Sequence, residues 1–450
     1  MSRWLYFLLV FAVLAIVLSL FPVPSLLLFI VAALGIVPLA ALIGQSVEEV
    51  AEHTGERVGG LLFATFGNAT ELIIGILALS KGLVDVVSAS IIGSILGNAL
   101  LVLGVSVCVG GFKHGRLKFE VRPASQYASL MALCVGSLML PTVAELLASR
   151  ANQPMIVERG VLLSDFIAVL LLLGYVASIL FSVFRVGDKG NEEEEGIDPT
   201  LGARSEAALV RLLSYRRQLA NSSTPGKSGV LRQIDGTVEA ILAHETGKQV
   251  SMAGSGSAKP ATAQAEKQGE HEGEKAEADL SVAQRSKQQK EQQKPPLWRA
   301  LLLLTIATIG VAVISEILVG AIEPMTEALH WNPAFVGLVF LPLIGGLPEY
   351  FNTISMALDK RMGMVLAASA GSSIQIALLM APILVLVSLL MPARLDLVFS
   401  IVELAVLALA TFLFSEITSD GELVWLEGLL LILLYAMMGC TVFLFGSGTV

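Results

Sequence analysis

Long runs of apolar residues, each about the length of a membrane span, follow one another through most of the chain. A spanning helix needs roughly 20 mostly apolar residues, and by that rule the pattern predicts about eleven helices. The predicted spans are 4–21, 24–45, 59–80, 83–110, 124–147, 158–185, 298–322, 332–357, 362–391, 394–414 and 423–445. We therefore predict an all-α polytopic membrane protein with about eleven transmembrane helices.

A hydrophilic stretch separates these runs into two groups. It is rich in Gly, Ser, Gln, Glu and Lys, and its part 252–296 is typical of a disordered linker. Two acidic segments, 192–195 and 270–279, supply much of the net charge of −9. The predicted organisation is an extra N-terminal helix (1–23), a first repeat (24–185), an acidic and largely disordered cytosolic loop (186–297) and a second repeat (298–450).

The two groups of spans repeat one pattern at a constant offset. Glu71 corresponds to Glu349 at a separation of 278 positions (349 − 71), and Ser94 corresponds to Ser372 at the same separation. Each group holds five predicted spans, and an odd number forces the two copies to insert with opposite orientations. The pattern therefore predicts two inverted five-helix repeats after an extra first helix.

Basic residues indicate how the chain is oriented in the membrane. They cluster after the fourth, sixth and eighth predicted spans: Lys113, Arg116, Lys118, Arg122, Arg185, Lys189, Lys360 and Arg361. If the N-terminus is inside, all of them are cytoplasmic, as the positive-inside rule requires. The central loop is then cytoplasmic as well. Since the chain shows no Arg- and Ser-rich leader, we expect a prokaryotic cell membrane, the inner membrane where there are two.

Composition supports the membrane class and adds little about partners. The chain is 55% hydrophobic and 15% charged, with a mean hydropathy of +0.76. Because the acidic surplus is concentrated in the central loop, it does not indicate a basic partner, and we expect no nucleic-acid ligand. The expected surroundings are the lipid bilayer, and a homo-oligomer is left open. The cysteines, Cys108, Cys134 and Cys440, lack pairing or CxxC spacing, which favours simple packing.

Two lone carboxylates inside apolar runs are the first candidates for chemistry. Glu71 follows Gly-Asn-Ala-Thr and Glu349 follows Gly-Gly-Leu-Pro. An acid within a membrane segment costs roughly 2.5–3.5 kcal/mol on insertion scales, so it is interpreted as functional by default. Two such acids related by an internal repeat indicate a cation site between the two halves of a transporter.

Neutral oxygens accompany the two acids at spacings of three or four residues, which places them on shared helix faces. These candidates are Asn68, Ser94, Asn98, Ser372 and Gln375. Gly67 and Gly345 would let backbone carbonyls approach an ion, although helix packing explains such glycines equally well. An all-oxygen set with two carboxylates suits a hard cation such as Ca²⁺, which takes about 6–8 oxygen ligands.

Exchange driven by an ion gradient is the activity that this set favours. Two nearby carboxylates in a low-dielectric site resist being charged together, whereas either protons or a divalent cation can neutralise them. Mutual exclusion becomes antiport if the two halves rock around the site. The chain has no HExxH motif and no Walker-type phosphate loop, which disfavours a metalloprotease and an ATP-driven pump. Apart from the transported ions, we expect no cofactor.

At these motifs the chain resembles the calcium/cation–proton exchanger (CAX) family, within the cation/calcium exchanger superfamily. The likeness is carried by 59–74 with 93–96 in the first half and by 337–382 in the second, and it extends over nearly all of 24–185 and 298–445. The resemblance implies ten repeat helices plus an extra first helix, an acidic cytosolic loop and Ca²⁺/H⁺ antiport.

One motif departs from the family pattern. The second copy usually reads Gly-Asn-Ala-Ala-Glu-His, whereas Gly346 and Tyr350 replace the Asn and the His here. One neutral ligand is therefore missing from the second half. We predict a proton-driven antiporter that moves Ca²⁺ out of the cytoplasm, in which Glu71 and Glu349 alternate between proton and metal. A Na⁺-coupled or monovalent cation/H⁺ exchanger and a passive cation channel are the alternatives, and an enzyme is disfavoured.

Overall fold

The computed structural model describes residues 3–54, 59, 61–62, 65–150, 160–182 and 296–445. By its internal contacts the chain divides into two units, one formed by Met1–Val186 with Pro295–Val450 and the other by Gly187–Lys294. All described residues belong to the first unit. The predicted central loop, 186–297, and its predicted disorder therefore lie outside the described residues, except for the last two positions.

Helices make up nearly all of the described chain, as the apolar pattern predicts. They are α1 (Arg3–Leu18), α2 (Ser25–Thr54), α3 (Ala69–Ser80), α4 (Val84–His114), α5 (Val121–Arg150), α6 (Gly160–Ser182), α7 (Leu297–Leu329), α8 (Pro333–Gly345), α9 (Leu347–Leu358), α10 (Met362–Ser388), α11 (Ile401–Ile417) and α12 (Trp425–Phe445). Two short strands, β1 (Leu117–Lys118) and β2 (Glu422–Leu423), pair with each other. The all-α prediction is confirmed.

The predicted number of spans is not confirmed. Among the described residues, seven helices are long and apolar enough to cross a membrane, or eight if the bent pair α8–α9 is one span. The predicted span 332–357 is this pair, which bends by 57° where Gly346 interrupts it. The predicted span 394–414 starts only at Ile401, because residues 391–400 form a loop.

Several helices turn wide apolar faces outward, whereas α4 is enclosed. Leu133 on α5 is 69% exposed, Leu162 on α6 is 66% exposed and Phe412 on α11 is 62% exposed. Large side chains exposed in such numbers would be costly in water and are stable in lipid. Helix α4, in contrast, is buried along almost its whole length. The chain is an integral membrane protein whose core surrounds α4.

The two halves repeat in the structure at the offset seen in the sequence. Helices α3 and α9 begin 278 residues apart (347 − 69) and end 278 residues apart (358 − 80). Helices α4 and α10 each contain one π-helical turn, at Gly97–Val102 and Ile376–Met380. Single π turns of this kind are frequent at functional sites.

Corresponding loops of the two halves lie at opposite ends of α5. At the start of α5, β1 pairs antiparallel with β2. Farther along, Thr142 Oγ1 accepts a 2.9 Å hydrogen bond from Phe399 N and donates to Leu397 O at 3.3 Å. The sequence counterpart of β1, 278 positions later, lies in the loop 391–400 that Thr142 contacts. At 1.5 Å per residue, Thr142 is about 30 Å along α5 from its start. The two halves therefore have opposite orientations, as the odd number of predicted spans requires.

Candidate cation-binding site

Both candidate carboxylates lie in the first turn of a helix that begins within the bundle. Glu71 is the third residue of α3, which starts after the turn at Gly67 and Asn68, and Glu349 is the third residue of α9. The first N–H groups of a helix have no intrahelical partner and carry the positive end of its dipole. Each carboxylate thus occupies a position where the backbone stabilises negative charge.

The break before Glu349 has a local cause. Gly346 N still donates to Pro342 O at 2.9 Å, but the next helix begins immediately afterwards in a new direction. Pro348 stands in the first turn of α9, where its missing N–H leaves no helical hydrogen bond unmade. The glycines and the proline that weaken this run in the sequence are therefore the residues at its bend.

Side chains from both halves form a hydrogen-bond network beside Glu349. Ser372 Oγ lies 2.9 Å from Glu349 Oε1 and 3.1 Å from Asn68 Oδ1. Asn98 Nδ2 donates to Ser372 Oγ at 2.9 Å. Asn68 Nδ2 donates to Gln375 Oε1 at 3.0 Å. Helices α3, α4, α9 and α10 thus meet at one point, and Ser372 is its centre.

The central hydroxyl can serve only one of its two acceptors. Ser372 has a single hydroxyl hydrogen, which can be donated to Asn68 Oδ1 or to Glu349 Oε1 but not to both. If it is donated to Asn68, the 2.9 Å contact with Glu349 needs a proton on the carboxyl group instead. The network therefore accommodates Glu349 in its protonated form as well as in its ionised form.

Glu71 packs against the backbone of the opposite half. A Cβ atom at Gly345 would lie 2.9 Å from Cγ, Cδ and Oε1 of Glu71, so the space exists only because residue 345 is glycine. Glu71 Oε2 is buried and has no hydrogen-bond donor within the described part of the chain. The carboxyl group also interacts electrostatically with that of Glu349. A buried carboxylate oxygen without a donor is costly unless a cation or a proton binds it.

Another lone acid shows what a satisfied carboxylate looks like. Glu403, also within an apolar run, is buried at the start of α11. Its Oε2 accepts hydrogen bonds from Ser400 N at 2.9 Å and from Ser400 Oγ at 2.8 Å, which completes a capping box. Glu403 thus caps a helix, whereas Glu71 Oε2 has no donor in the part of the chain that the structure describes.

Two predicted residues stand outside the network. Ser94 is buried on α4, one turn before Asn98, and no side-chain hydrogen bond in the described structure joins it to the other candidates. Gly67 lies in the exposed turn that precedes α3. The structure therefore brings together Glu71, Glu349, Asn68, Asn98, Ser372, Gln375 and Gly345, and places Ser94 and Gly67 beside them.

The sequence reasoning missed two serines that hold the site helices together. Ser369 Oγ donates to Asn98 O at 2.7 Å, and Ser373 Oγ donates to Ile95 O at 3.2 Å. Both bonds join α10 to the region of α4 around its π turn. The sequence signal was the concentration of three serines between positions 369 and 373, of which only Ser372 was selected.

The pairing of Gln45 with Glu49 on α2 was not predicted from the sequence either. Gln45 Nε2 donates to Glu49 Oε1 at 3.0 Å, and both side chains are half-buried. Gln45 Oε1 and Glu49 Oε2 are buried without a hydrogen-bond partner in the described structure. The spacing of four residues on one helix was the available signal.

The position that departs from the family motif is occupied by backbone and by an aromatic ring. A Cβ atom at Gly346 would lie 2.9 Å from Pro342 O and 3.8 Å from Cε2 of Tyr350. Tyr350 itself is only 9% exposed. A side chain at residue 346 would therefore require Pro342 O to shift, and the second half has no counterpart of the Asn68 amide at this position.

Comparisons with known proteins agree over most of the chain. The sequence profile of the family described as sodium/calcium exchanger protein matches residues 24–184 and 299–444. A Ca²⁺/H⁺ antiporter of Synechocystis sp. is 33% identical over 92% of this chain and 90% of its own length. The Ca²⁺/H⁺ antiporter ChaA of Bacillus subtilis is 29% identical over 96% of both chains. The solved structure of native YfkE, 26% identical, matches 98% of this chain and 99% of its own with a TM-score of 0.66.

Proposed function

Because the chain belongs to the sodium/calcium exchanger protein family, we propose that it is a proton-driven antiporter that moves Ca²⁺ out of the cytoplasm in exchange for H⁺. Relatives named Ca²⁺/H⁺ antiporters are similar to it over more than nine-tenths of its length, which supports this assignment. The chain is then a secondary active transporter, and Ca²⁺ and H⁺ are its substrates.

The observation that carries the proposal is the free oxygen of Glu71 beside the network of Glu349. Glu71 Oε2 is buried with no donor among the described residues, and Glu349 Oε1 shares a single hydroxyl hydrogen with Asn68. Together they offer carboxylate, amide and hydroxyl oxygens from both halves of the chain. Such a donor set suits Ca²⁺, which binds oxygen ligands almost exclusively.

Charge neutrality explains why the same pair would carry protons. With both carboxyl groups ionised, the site holds two negative charges in an apolar environment, which one Ca²⁺ or two protons neutralise. Binding of Ca²⁺ therefore releases protons, and rebinding of protons releases Ca²⁺. The single hydrogen of Ser372 would turn towards Asn68 when Glu349 is protonated and towards Glu349 when it is ionised.

We assign the metal and the protons to Glu71 and Glu349, and the remaining candidates supply neutral oxygens or space for the backbone. The neutral side chains are Asn68, Ser94, Asn98, Ser372 and Gln375, and the glycines are Gly67 and Gly345. The missing amide at Gly346 affects selectivity first, because it removes one oxygen from the second half. A site with one oxygen ligand fewer could instead favour a monovalent cation, which is the alternative substrate.

Alternating access follows from two halves of opposite orientation. The repeats 24–185 and 298–450 would rock against each other around the site, with the first helix outside the repeat. The bacterial relatives support the plasma membrane as the location. We place the N-terminus and the central loop in the cytoplasm, because the positive-inside rule makes Lys113, Arg116 and Lys360 cytoplasmic when the N-terminus is inside.

Everted membrane vesicles containing the full-length chain test the proposal. With an imposed acid-inside pH gradient, addition of Ca²⁺ is expected to dissipate the gradient, because protons leave as Ca²⁺ enters. If Na⁺ or K⁺ dissipates the pH gradient and Ca²⁺ does not, the substrate is a monovalent cation and not Ca²⁺. Accumulation of Ca²⁺ that follows only the membrane potential, with no proton movement, would identify a channel.

A further inference from the structure

Gly82 and Lys360 occupy equivalent positions of the two halves and share one backbone conformation. Both have positive φ, 78° at Gly82 and 61° at Lys360. Leu83 N donates to Ala78 O at 3.0 Å after α3, and the same bond recurs after α9 between residues 278 positions later, at 2.9 Å. Both helices thus end in a Schellman turn, which requires a left-handed residue at this position.

The two halves place residues at this turn that differ in the energy needed to adopt the left-handed conformation. Glycine adopts the left-handed conformation freely, whereas the Cβ of lysine makes it strained. The chain thus has the unstrained solution at Gly82 and a strained, positively charged one at Lys360. A strained residue of this kind is a reason to look for a function at the turn.

Lys360 lines a cavity of about 490 Å³ between the first turns of α5 and α10. Lys118 and Arg361 line it too, and all three cations are exposed. Lys118 is held there by β1, in which Leu117 is buried and Lys118 faces out. None of these three cations forms an ion pair within the described residues, whereas Arg116 pairs with Glu422. The one acid of the lining is Glu120.

The backbone adds to the positive charge of this cavity. Helix α10 begins at Met362 and α5 begins at Val121, both next to the cavity. The N–H groups of a first helical turn have no intrahelical partner and favour an anion. Two helix N-termini and three basic side chains therefore converge, with a single carboxylate to oppose them.

The cavity lining also includes apolar side chains on two helices that cross the membrane. Tyr127 and Ala367 lie one to two turns into α5 and α10, and Met364 lies in the first turn of α10. Met364 is 42% exposed. A ligand that fits the cavity thus carries an anionic group at the end of the bundle and an apolar part beside the spans.

We propose that this basic cavity, lined by Lys118, Lys360 and Arg361, binds the phosphate headgroup of an anionic phospholipid. The cavity combines phosphate-binding groups with apolar side chains on α5 and α10, and this combination favours a lipid over a free anion. Because α10 also carries Ser372 and Gln375, the bound headgroup contacts the first turn of a helix that reaches the site.

Native mass spectrometry of the full-length protein in detergent tests the proposal, with phosphatidylglycerol as the probe and phosphatidylcholine as the reference lipid. Lys360→Gly is the central variant, because glycine fits the turn better and the fold is kept. We expect it to weaken phosphatidylglycerol binding about fivefold, which corresponds to about 1 kcal/mol for one basic side chain. Phosphatidylcholine binding is expected to stay the same, and the melting temperature is expected not to fall.

Arg122→Gln is the matched control, since Arg122 is exposed on the same segment but does not line the cavity. It should leave the affinity for phosphatidylglycerol unchanged, and Lys118→Gln should weaken it about as much as Lys360→Gly. Equal losses with Arg122→Gln, or equal binding of both lipids by the unchanged protein, would overturn the proposal. Displacement of phosphatidylglycerol by millimolar inorganic phosphate would contradict the lipid as the ligand and identify a free-anion site.

Discussion

Ser372 Oγ lies 2.9 Å from Glu349 Oε1, although the two residues are on different helices of the second half. The same hydroxyl is in contact with Asn68 and Asn98 of the first half, so one serine connects the acid of one repeat with the amides of the other. In an inverted-repeat transporter the substrate site lies at the interface of the repeats. In the proposed mechanism, movement of one repeat against the other would therefore change the contacts of Ser372.

Removal of either acidic charge is expected to abolish exchange. Glu71→Gln and Glu349→Gln keep the side-chain shape but remove the charge that is proposed to bind Ca²⁺ and the group that is proposed to carry the proton. Loss of a partner outside the ligand shell already costs about 10–100-fold in metal affinity, so we expect a loss of at least that size. The measurement is the initial rate of ΔpH-driven ⁴⁵Ca²⁺ uptake into proteoliposomes.

Glu316→Gln is the control for these substitutions. Glu316 also belongs to a membrane helix, α7, but it is exposed. Its substitution should leave uptake unchanged. Uptake by Glu71→Gln at the rate of the unchanged protein would remove this residue from the site.

Ser372→Ala is expected to lower Ca²⁺ affinity while the protein still folds. The substitution removes the hydroxyl that accepts a hydrogen bond from Asn98 Nδ2 and lies 2.9 Å from Glu349 Oε1. We expect about 10–100-fold weaker Ca²⁺ binding, as for a partner that orients the ligands. Ser90→Ala is the control, because Ser90 is buried on α4 and its hydroxyl bonds, within the described residues, only to Val87 O of its own helix. Equal affinities of the two variants would contradict the central place of Ser372.

Gly345→Ala is expected to displace Glu71. The added methyl group would lie 2.9 Å from Cγ, Cδ and Oε1 of Glu71, which is closer than Cβ atoms approach other atoms. We expect slower ⁴⁵Ca²⁺ uptake with a normal yield of folded protein. Gly136→Ala, where no atom lies within 4 Å of the added group, should have no effect on uptake. If both alanine variants transport normally, Glu71 does not need the space at residue 345.

Gly346→Asn is expected to destabilise the protein instead of restoring the amide of the family motif. Its Cβ would meet Pro342 O at 2.9 Å, which is closer than Cβ atoms approach other atoms. Overpacking of this kind costs about 1–3 kcal/mol. Thermal unfolding in detergent measures the loss, with Gly363→Ala, in open space, as the control. A variant as stable as the unchanged protein and with higher Ca²⁺ affinity would contradict this expectation.

The repeat and its acids could be predicted from the sequence because both are local signals. A carboxylate in an apolar run is conspicuous, and a constant offset places Glu71 and Glu349 in equivalent helices whatever the packing. The opposite orientation of the halves followed from an odd number of spans. In contrast, the count of eleven was not confirmed, because hydropathy cannot locate the bend at Gly346 or the loop before Ile401.

Contacts across the site could not be predicted from the sequence. The repeat singled out Ser372 among three nearby serines, but its contacts with Asn68 and Asn98 depend on how α10 is rotated against α4, and that rotation is set by packing across the two halves. The same applies to Gly345, whose importance arises from a side chain 274 positions earlier (345 − 71). A single residue in a helical pattern does not indicate which distant side chain will pack against it.

Proton release on Ca²⁺ binding tests the central claim most directly. Ca²⁺ is added to the purified full-length protein in weakly buffered detergent solution, and the pH change is recorded against the amount of Ca²⁺ bound. If protons and Ca²⁺ compete for Glu71 and Glu349, as proposed, binding acidifies the solution and tightens as the pH is raised. Glu71→Gln and Glu349→Gln should each lose both the binding and the acidification. Ca²⁺ binding without proton release in the unchanged protein, or undiminished release in both variants, would contradict the account.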